Sequence, residues 1–237
     1  MHYFDPSCSP FTRWAAARTE RLVAVSDYVR RVLADTAPSL ASRMTVVRNG
    51  VDTAYFSPRD GAAGVFRLGI VCRLTAWKRV HLAIEAAALR GVELVVVGDG
   101  EERSRLEALA HRLAARATFV GFQSDPRAFV AGCDAVLNTA ESEPLGLSVL
   151  ESLAMGRPVI AFRQGGIPEI VEDRVTGWLV SEPTAAALAA AVERAQGDRP
   201  SLALMGERAR RFVVEHCSIE AMCRGYASVY DAVARPS

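Results

Sequence analysis

The stretch that decides the fold is Glu141–Glu169, ESEPLGLSVLESLAMGRPVIAFRQGGIPE. An apolar run, Asp134–Asn138, leads into it. A short acidic loop follows, then a helical pattern over Gly146–Met155, a second apolar run at Pro158–Phe162, and the glycine pair Gly165 and Gly166. Strand, loop, helix and strand in that order make one unit of a parallel sheet. Such strands are covered on both faces and therefore read as near-continuous hydrophobic runs. Glu143 lies in the loop and Glu151 in the helix behind it.

The same rhythm extends outward. Apolar runs at Phe66–Cys72, Val92–Val97, Ala117–Val120 and Gly177–Val180 predict further strands. Between and after them, helical patterns cover Lys78–Arg90, Glu101–Ala115, Asp125–Ala131, Ile167–Glu172, Thr184–Gln196, Ser201–Glu215 and Ser218–Ala234. The expected fold class is α/β, a Rossmann-like doubly wound parallel sheet. Upstream, Phe11–Thr19 reads as a short helix, Arg21–Val25 and Met44–Arg48 as strands, and Ser26 as the N-cap of a helix over Asp27–Thr36. Asn49-Gly50 is a turn signal, Val51–Arg59 a connector, and Asp60–Gly64 the best linker candidate.

Composition excludes several classes. Half of the 237 residues are hydrophobic and 23% are charged, which argues against disorder. A net charge of +1 gives no footprint for nucleic acid. The opening MHYFDPSCSP lacks the charged and apolar regions of a secretory signal. No apolar run approaches the roughly 20 residues of a membrane span. The expectation is a soluble, cytoplasmic protein. The five cysteines are scattered, without the close pairs of a zinc site, and are expected as reduced thiols. Of 28 basic residues only Lys78 is a lysine, which suggests a position where a compact point charge is useful.

Ligands of an open α/β sheet bind beyond the carboxyl ends of its strands. There the sequence places Arg73-Leu-Thr-Ala-Trp-Lys78, Gly98-Asp-Gly100, Gly121-Phe122, Glu141–Gly146 and Gly165-Gly166. Arg73 and Lys78, the latter opening a helix, suit a diphosphate, although an isolated pair of cations is more often surface charge. Pro144-Leu-Gly146 opens a helix whose free N–H groups and dipole form an anion site, unless the helix start serves packing alone. Glu143 and Glu151 suit vicinal hydroxyls; two carboxylates also fit the acid and base of a glycosidase, a reading weakened by the neighbouring cations. Gly98-Asp-Gly100 lacks the third glycine of a dinucleotide fingerprint, so no nicotinamide cofactor is expected. His2, His81, His111 and His216 form no cluster, and Trp77 and Phe122 are either base-stacking or ordinary packing aromatics.

Taken as a set, these blocks resemble a known family. Glu143-x7-Glu151, followed by Gly156-Arg-Pro-Val-Ile160 and Gly165-Gly-Ile-Pro-Glu169, is similar to the signature of retaining glycosyltransferases of the GT-B fold, in glycosyltransferase family 4 (glycosyl transferases group 1). Arg73-Leu-x3-Lys78, Val97-Gly-Asp-Gly100 and Phe119-Val-Gly-Phe122 match its other blocks in order. Val23-Ala-Val-Ser26 resembles the end of the family's N-terminal domain, and Asn49-Gly-Val-Asp52 with Phe56-x-Pro58 its interdomain connector. The resemblance implies that Arg73 and Lys78 bind the donor diphosphate and neutralise the leaving group. It implies that Glu143 contacts the transferred sugar and Glu151 the ribose. Backbone N–H groups of Leu145, Gly146 and Leu147 would hold sugar hydroxyls and phosphate, with Gly121 and Phe122 near the base. No metal or other cofactor is implied beyond the nucleotide-diphosphate sugar itself.

Three departures stand out. Cys72 replaces the glycine usual before the arginine, and Arg79 the glycine that commonly follows the lysine. The third is length. Only about 60 residues precede the donor domain, too few for a complete acceptor domain, and no N-terminal glycine-rich loop is present. The expected organisation is a remnant of the acceptor domain with its connector at 1–60, a donor-binding domain at 61–216, and a closing helix at 217–237 that packs back on the remnant and leaves apolar surface exposed. The reading is a bacterial, retaining, metal-independent hexosyltransferase with an unknown acceptor, expected to turn over little as an isolated chain. It leaves open peripheral association with the inner face of the membrane, or a partner chain over the remnant. The alternatives are a non-catalytic nucleotide-sugar-binding module that needs a partner chain, and a sugar-nucleotide epimerase of the same fold. The epimerase would need catalytic histidine and acidic residues that the sequence does not supply.

Overall fold

A computed structural model describes residues 18–59, 61 and 64–234. The helix expected at Phe11–Thr19 falls almost wholly outside them, as does most of the Asp60–Gly64 linker. The described residues form two parallel sheets. The first is small: β1 (Leu22–Ala24) pairs with β2 (Met44–Val46), joined by helix α1 (Asp27–Thr36) and an unforeseen 3-10 turn at Pro38–Arg43. Ser26 caps α1 as expected, its hydroxyl accepting from Val29 N.

The second sheet has six parallel strands: β3 (Arg67–Val71), β4 (Glu93–Val97), β5 (Ala117–Gly121), β6 (Ala135–Asn138), β7 (Val159–Phe162) and β8 (Gly177–Val180). Their order is β5-β4-β3-β6-β7-β8. The helices are α2 (Val80–Arg90), α3 (Arg103–Arg112), α4 (Arg127–Ala131), α5 (Leu147–Ala154), α6 (Ala185–Gly197), α7 (Arg199–His216) and α8 (Ile219–Ala234). Successive strand residues point to opposite faces. Leu68, Ile70, Leu137, Ile160 and Phe162 pack with α2, α3 and α6 on one face. Val136, Val159 and Ala161 pack with α5 and the second half of α7 on the other. Both faces are thus buried, which is why the strands read as unbroken apolar runs. Each such large side chain withdrawn from water contributes about 1.5–3 kcal/mol.

Element ends move by a residue or two from the sequence expectation, and three differences have physical causes. Lys78 does not begin a helix. It ends a 3-10 turn, Ala76–Lys78, and Arg79 with φ +48 separates that turn from α2. The helix expected at Ile167–Glu172 is one 3-10 turn, Ile167–Glu169, with Pro168 as its second residue. α7 begins earlier than expected, because Asp198 caps it through Ser201 N and Pro200 fits a first turn. α8 returns to the N-terminal piece. Val51 N donates to Cys217 O at 2.9 Å and Gly50 N to Met222 Sδ at 3.2 Å, while a Cβ on Gly225 would stand 2.8 Å from Val47. Among the described residues no helix is long and apolar enough to cross a membrane.

Gly98 and Gly100 serve the neighbouring loop. A Cβ on Gly98 would lie 1.9 Å from Cys72 O, and one on Gly100 2.3 Å from Leu74 O, and both residues have positive φ. Gly98→Ala is therefore expected to destabilise the fold by roughly 1–3 kcal/mol in urea unfolding. Gly197→Ala, with nothing within 4 Å of the added methyl, should leave the midpoint unchanged or slightly raised.

Candidate active site

The chain runs outward from β3 to β4 and β5, then crosses back to β6 on the other side of β3. Strand order reverses between β3 and β6. The two loops leaving these strands therefore diverge and open a crevice at their carboxyl ends. The β3 loop carries Arg73 to Arg79 and the β6 loop carries Thr139 to Gly146. They are stitched together: Thr139 Oγ1 donates to Lys78 O at 2.7 Å and Glu141 N to Trp77 O at 2.8 Å. Across the crevice Lys78 Nζ meets Glu143 Oε2 at 2.6 Å. Both side chains are nearly buried, at 13% and 11% exposure, and the ammonium lies 4.1 Å from the centre of the Trp77 ring.

Arg79 explains itself in this setting. Its left-handed backbone is where glycine is usual, yet its guanidinium holds Thr139 O and Ala140 O at 3.1 Å each and bonds Gln164 Oε1. These bonds to the loops after β6 and β7 offset the backbone strain. Burial lowers the Arg79 pKa, opposed by Glu141. Beneath the β6 loop, a Cβ on Gly165 would lie 2.3 Å from Glu143 O and one on Gly166 2.3 Å from Pro144 O. Gly166 N donates to Glu143 O at 2.7 Å. The glycine pair is thus a floor under Glu143.

The crevice is a cleft of about 660 Å³ lined by Arg73, Lys78, Phe122, Glu143, Leu147 and Glu151, among others. Arg73 is open to solvent and 3.5 Å from Glu101, a loose pair that leaves the guanidinium available. Phe122 is 76% exposed, a large apolar ring facing the cleft rather than packed in the core. Leu147 is half exposed at the start of α5, whose first bonds run from Val149 and Leu150 N to Gly146 O. The N–H groups of Leu147 and Ser148 stand ahead of that ladder, at the positive end of the helix. The side chain of Leu145 is buried in the core, so only its backbone is left for a ligand. Gly121 ends β5 beside Arg103 and does not line the cleft. Cys72, Gln123 and Ser148, which sequence reasoning missed, do line it. Each neighbours a residue that was singled out, and adjacency was the only available signal.

Two groups in the cleft have shifted acidities. Burial pushes the Cys72 thiol up to about 12, with Lys78 opposing, so it stays a thiol at neutral pH. Burial raises Glu151 from 4.5 to about 7.

The fold and the cleft define an open parallel α/β domain with two cations and a helix start at the crossover of its strand order. The family profile described as glycosyl transferases group 1 matches residues 63–212, and that of glycosyltransferase family 4 matches residues 2–55. The chain belongs to the group 1 glycosyltransferases. It is 36% identical over 179 residues to a lipopolysaccharide core biosynthesis glycosyltransferase of Rhizobium meliloti, covering 74% of this chain and 52% of that protein. It is 32% identical over 209 residues to a putative colanic acid biosynthesis glycosyltransferase of Escherichia coli, covering 81% and 52%. The chain thus spans about half the length of these relatives. Among solved structures, a glycosyltransferase from Rickettsia africae superposes with a TM-score of 0.86 at 22% identity, over 97% of this chain and 68% of that one. Anabaena HepE in complex with UDP gives 0.85 at 24% identity, over 93% and 66%.

The Glu151 shift carries a sign. An acid whose folded pKa is raised from 4.5 to about 7 costs stability as pH rises through that window, because the unfolded chain ionises first. Glu151→Gln removes this cost. Its stability relative to the parent should grow between pH 4.5 and 7 to on the order of 2 kcal/mol, measured by urea unfolding across pH.

Proposed function

We propose that the cleft binds a nucleotide-diphosphate sugar, and that the chain is the donor-binding part of a retaining, cytoplasmic glycosyltransferase that transfers a hexosyl unit. The observation that carries this is the Lys78–Glu143 pair at the crossover of strand order, with Arg73 on one side and the start of α5 on the other. A buried ammonium with three donors can give one to Glu143 and keep two for phosphate oxygens. As the bond between the anomeric carbon and the diphosphate breaks, charge builds on the leaving phosphate. Lys78, Arg73 and the N–H groups at the α5 start meet that charge, so the step needs no metal. Glu143 faces the sugar end and Glu151 the ribose end, where its carboxylate accepts from hydroxyls. Phe122, exposed at the mouth, offers a face to the base. The structural neighbour in complex with UDP supports this reading by fold. A second structure of the same neighbour, in complex with UDP-glucose, supplies the probe.

Calorimetry with UDP and UDP-glucose tests the assignment. Lys78→Ala and Glu151→Ala should each weaken UDP-glucose binding about 10–100-fold, the scale of a lost hydrogen bond to a charged group. Unchanged affinity in both variants would remove the cleft from consideration.

A further inference from the structure

Glu169 closes the most specific block of the sequence but lies outside the cleft. Its carboxylate is spent on the N-terminal piece. Oε2 accepts from Asp27 N at 2.9 Å and Oε1 from Tyr28 N at 2.7 Å, with Arg48 at 3.4 Å from Oε2. These are orphan N–H groups of the first turn of α1, at the positive end of its dipole, where a carboxylate is most favourable. The same turn reaches back. Ser26, fully buried, donates its hydroxyl to Pro144 O at 2.6 Å, and the Tyr28 hydroxyl shares a 2.8 Å hydrogen bond with Ser142 Oγ. Ser142 and Pro144 are the two neighbours of Glu143. The circuit closes through Gly166, three residues before Glu169, whose N–H holds Glu143 O.

We infer that Glu169 is a positioning residue for Glu143: it locks the first turn of α1, and α1 pins the loop on either side of Glu143 so that the carboxylate meets Lys78. The N-terminal piece is then a scaffold for the sugar end of the cleft and not only a connector. The geometry stands by itself; its consequence for sugar binding rests on the function proposed above.

The single lysine makes a direct test possible. In the full chain labelled with ¹³C,¹⁵N-lysine, Lys78 gives the only lysine side-chain resonances, and these sense the Glu143 carboxylate without any ligand. Glu143→Gln supplies the position for the altered pair. Glu169→Gln and Tyr28→Phe should move the Lys78 resonances at least a third of the way toward that position. Thr36→Ala, which removes a hydroxyl bonded to Val32 O at the far end of α1, should not move them. Should Glu169→Gln fail to fold, Glu169→Asp, which draws the carboxylate back by one methylene from the Asp27 and Tyr28 N–H groups, decides in its place. In calorimetry Tyr28→Phe should weaken UDP-glucose about 3–10-fold and leave UDP within about twofold, the scale of one neutral hydrogen bond. Lys78 resonances that stay at the parent position in a folded Glu169 variant, or equal losses for both nucleotides in Tyr28→Phe, would overturn the inference. If the parent chain binds neither nucleotide, the proposed function fails, and the resonances still decide whether Glu169 positions Glu143.

Discussion

The ion pair between Lys78 and Glu143 is the interaction on which the rest of this structure depends. Two charges with little solvent exposure lose several kcal/mol of hydration each, and their attraction repays that only when geometry and further bonds are good. Here the further contacts are visible: the Trp77 ring beside the ammonium, the stitched β3 and β6 loops around it, and the glycine floor under Glu143. A pair of apolar residues would hold two loops together at lower cost. Under the proposed function the charged pair is the contact that a charged and hydroxylated ligand would meet.

The fold supplies the place. A parallel sheet whose order reverses beside β3 opens a crevice without any special sequence, because the loops of β3 and β6 leave in different directions. What the sequence adds is close approach. Gly98 and Gly100 admit the Cys72–Leu74 backbone, Gly165 and Gly166 admit the Glu143–Leu145 backbone, and Arg79 accepts a left-handed backbone in return for gripping the β6 loop. Arg79 holds a left-handed backbone of the kind glycine adopts most readily, and its side chain adds bonds of its own.

The alternation of strands and helices was legible because burial on both sheet faces writes itself as apolar runs, and the gathering of Arg73, Lys78, Glu143 and Glu151 followed from strand polarity alone. Lys78 was misplaced onto a helix because its turn lies against α2 and differs from it by one left-handed residue, which nothing in Trp-Lys-Arg announces. Gly98-Asp-Gly100 lines the cleft, as strand polarity implied, but the sequence could not say that its glycines also admit the Cys72–Leu74 backbone. The clamp of Glu169 on α1 was invisible, since it joins residues 142 positions apart and its partners are backbone N–H groups that every sequence contains. Ser26 showed only its local half, the N-cap, and not its bond to Pro144.

The central claim is that Lys78, held by Glu143, meets the diphosphate of a nucleotide sugar at the crossover between β3 and β6. A crystal structure of the chain grown with UDP tests it most directly. The account predicts the diphosphate between Arg73 and the start of α5, with Lys78 Nζ within hydrogen-bonding distance of a phosphate oxygen and the ribose beside Glu151. UDP bound elsewhere, or bound in the cleft with Lys78 turned away from both phosphates, would contradict it.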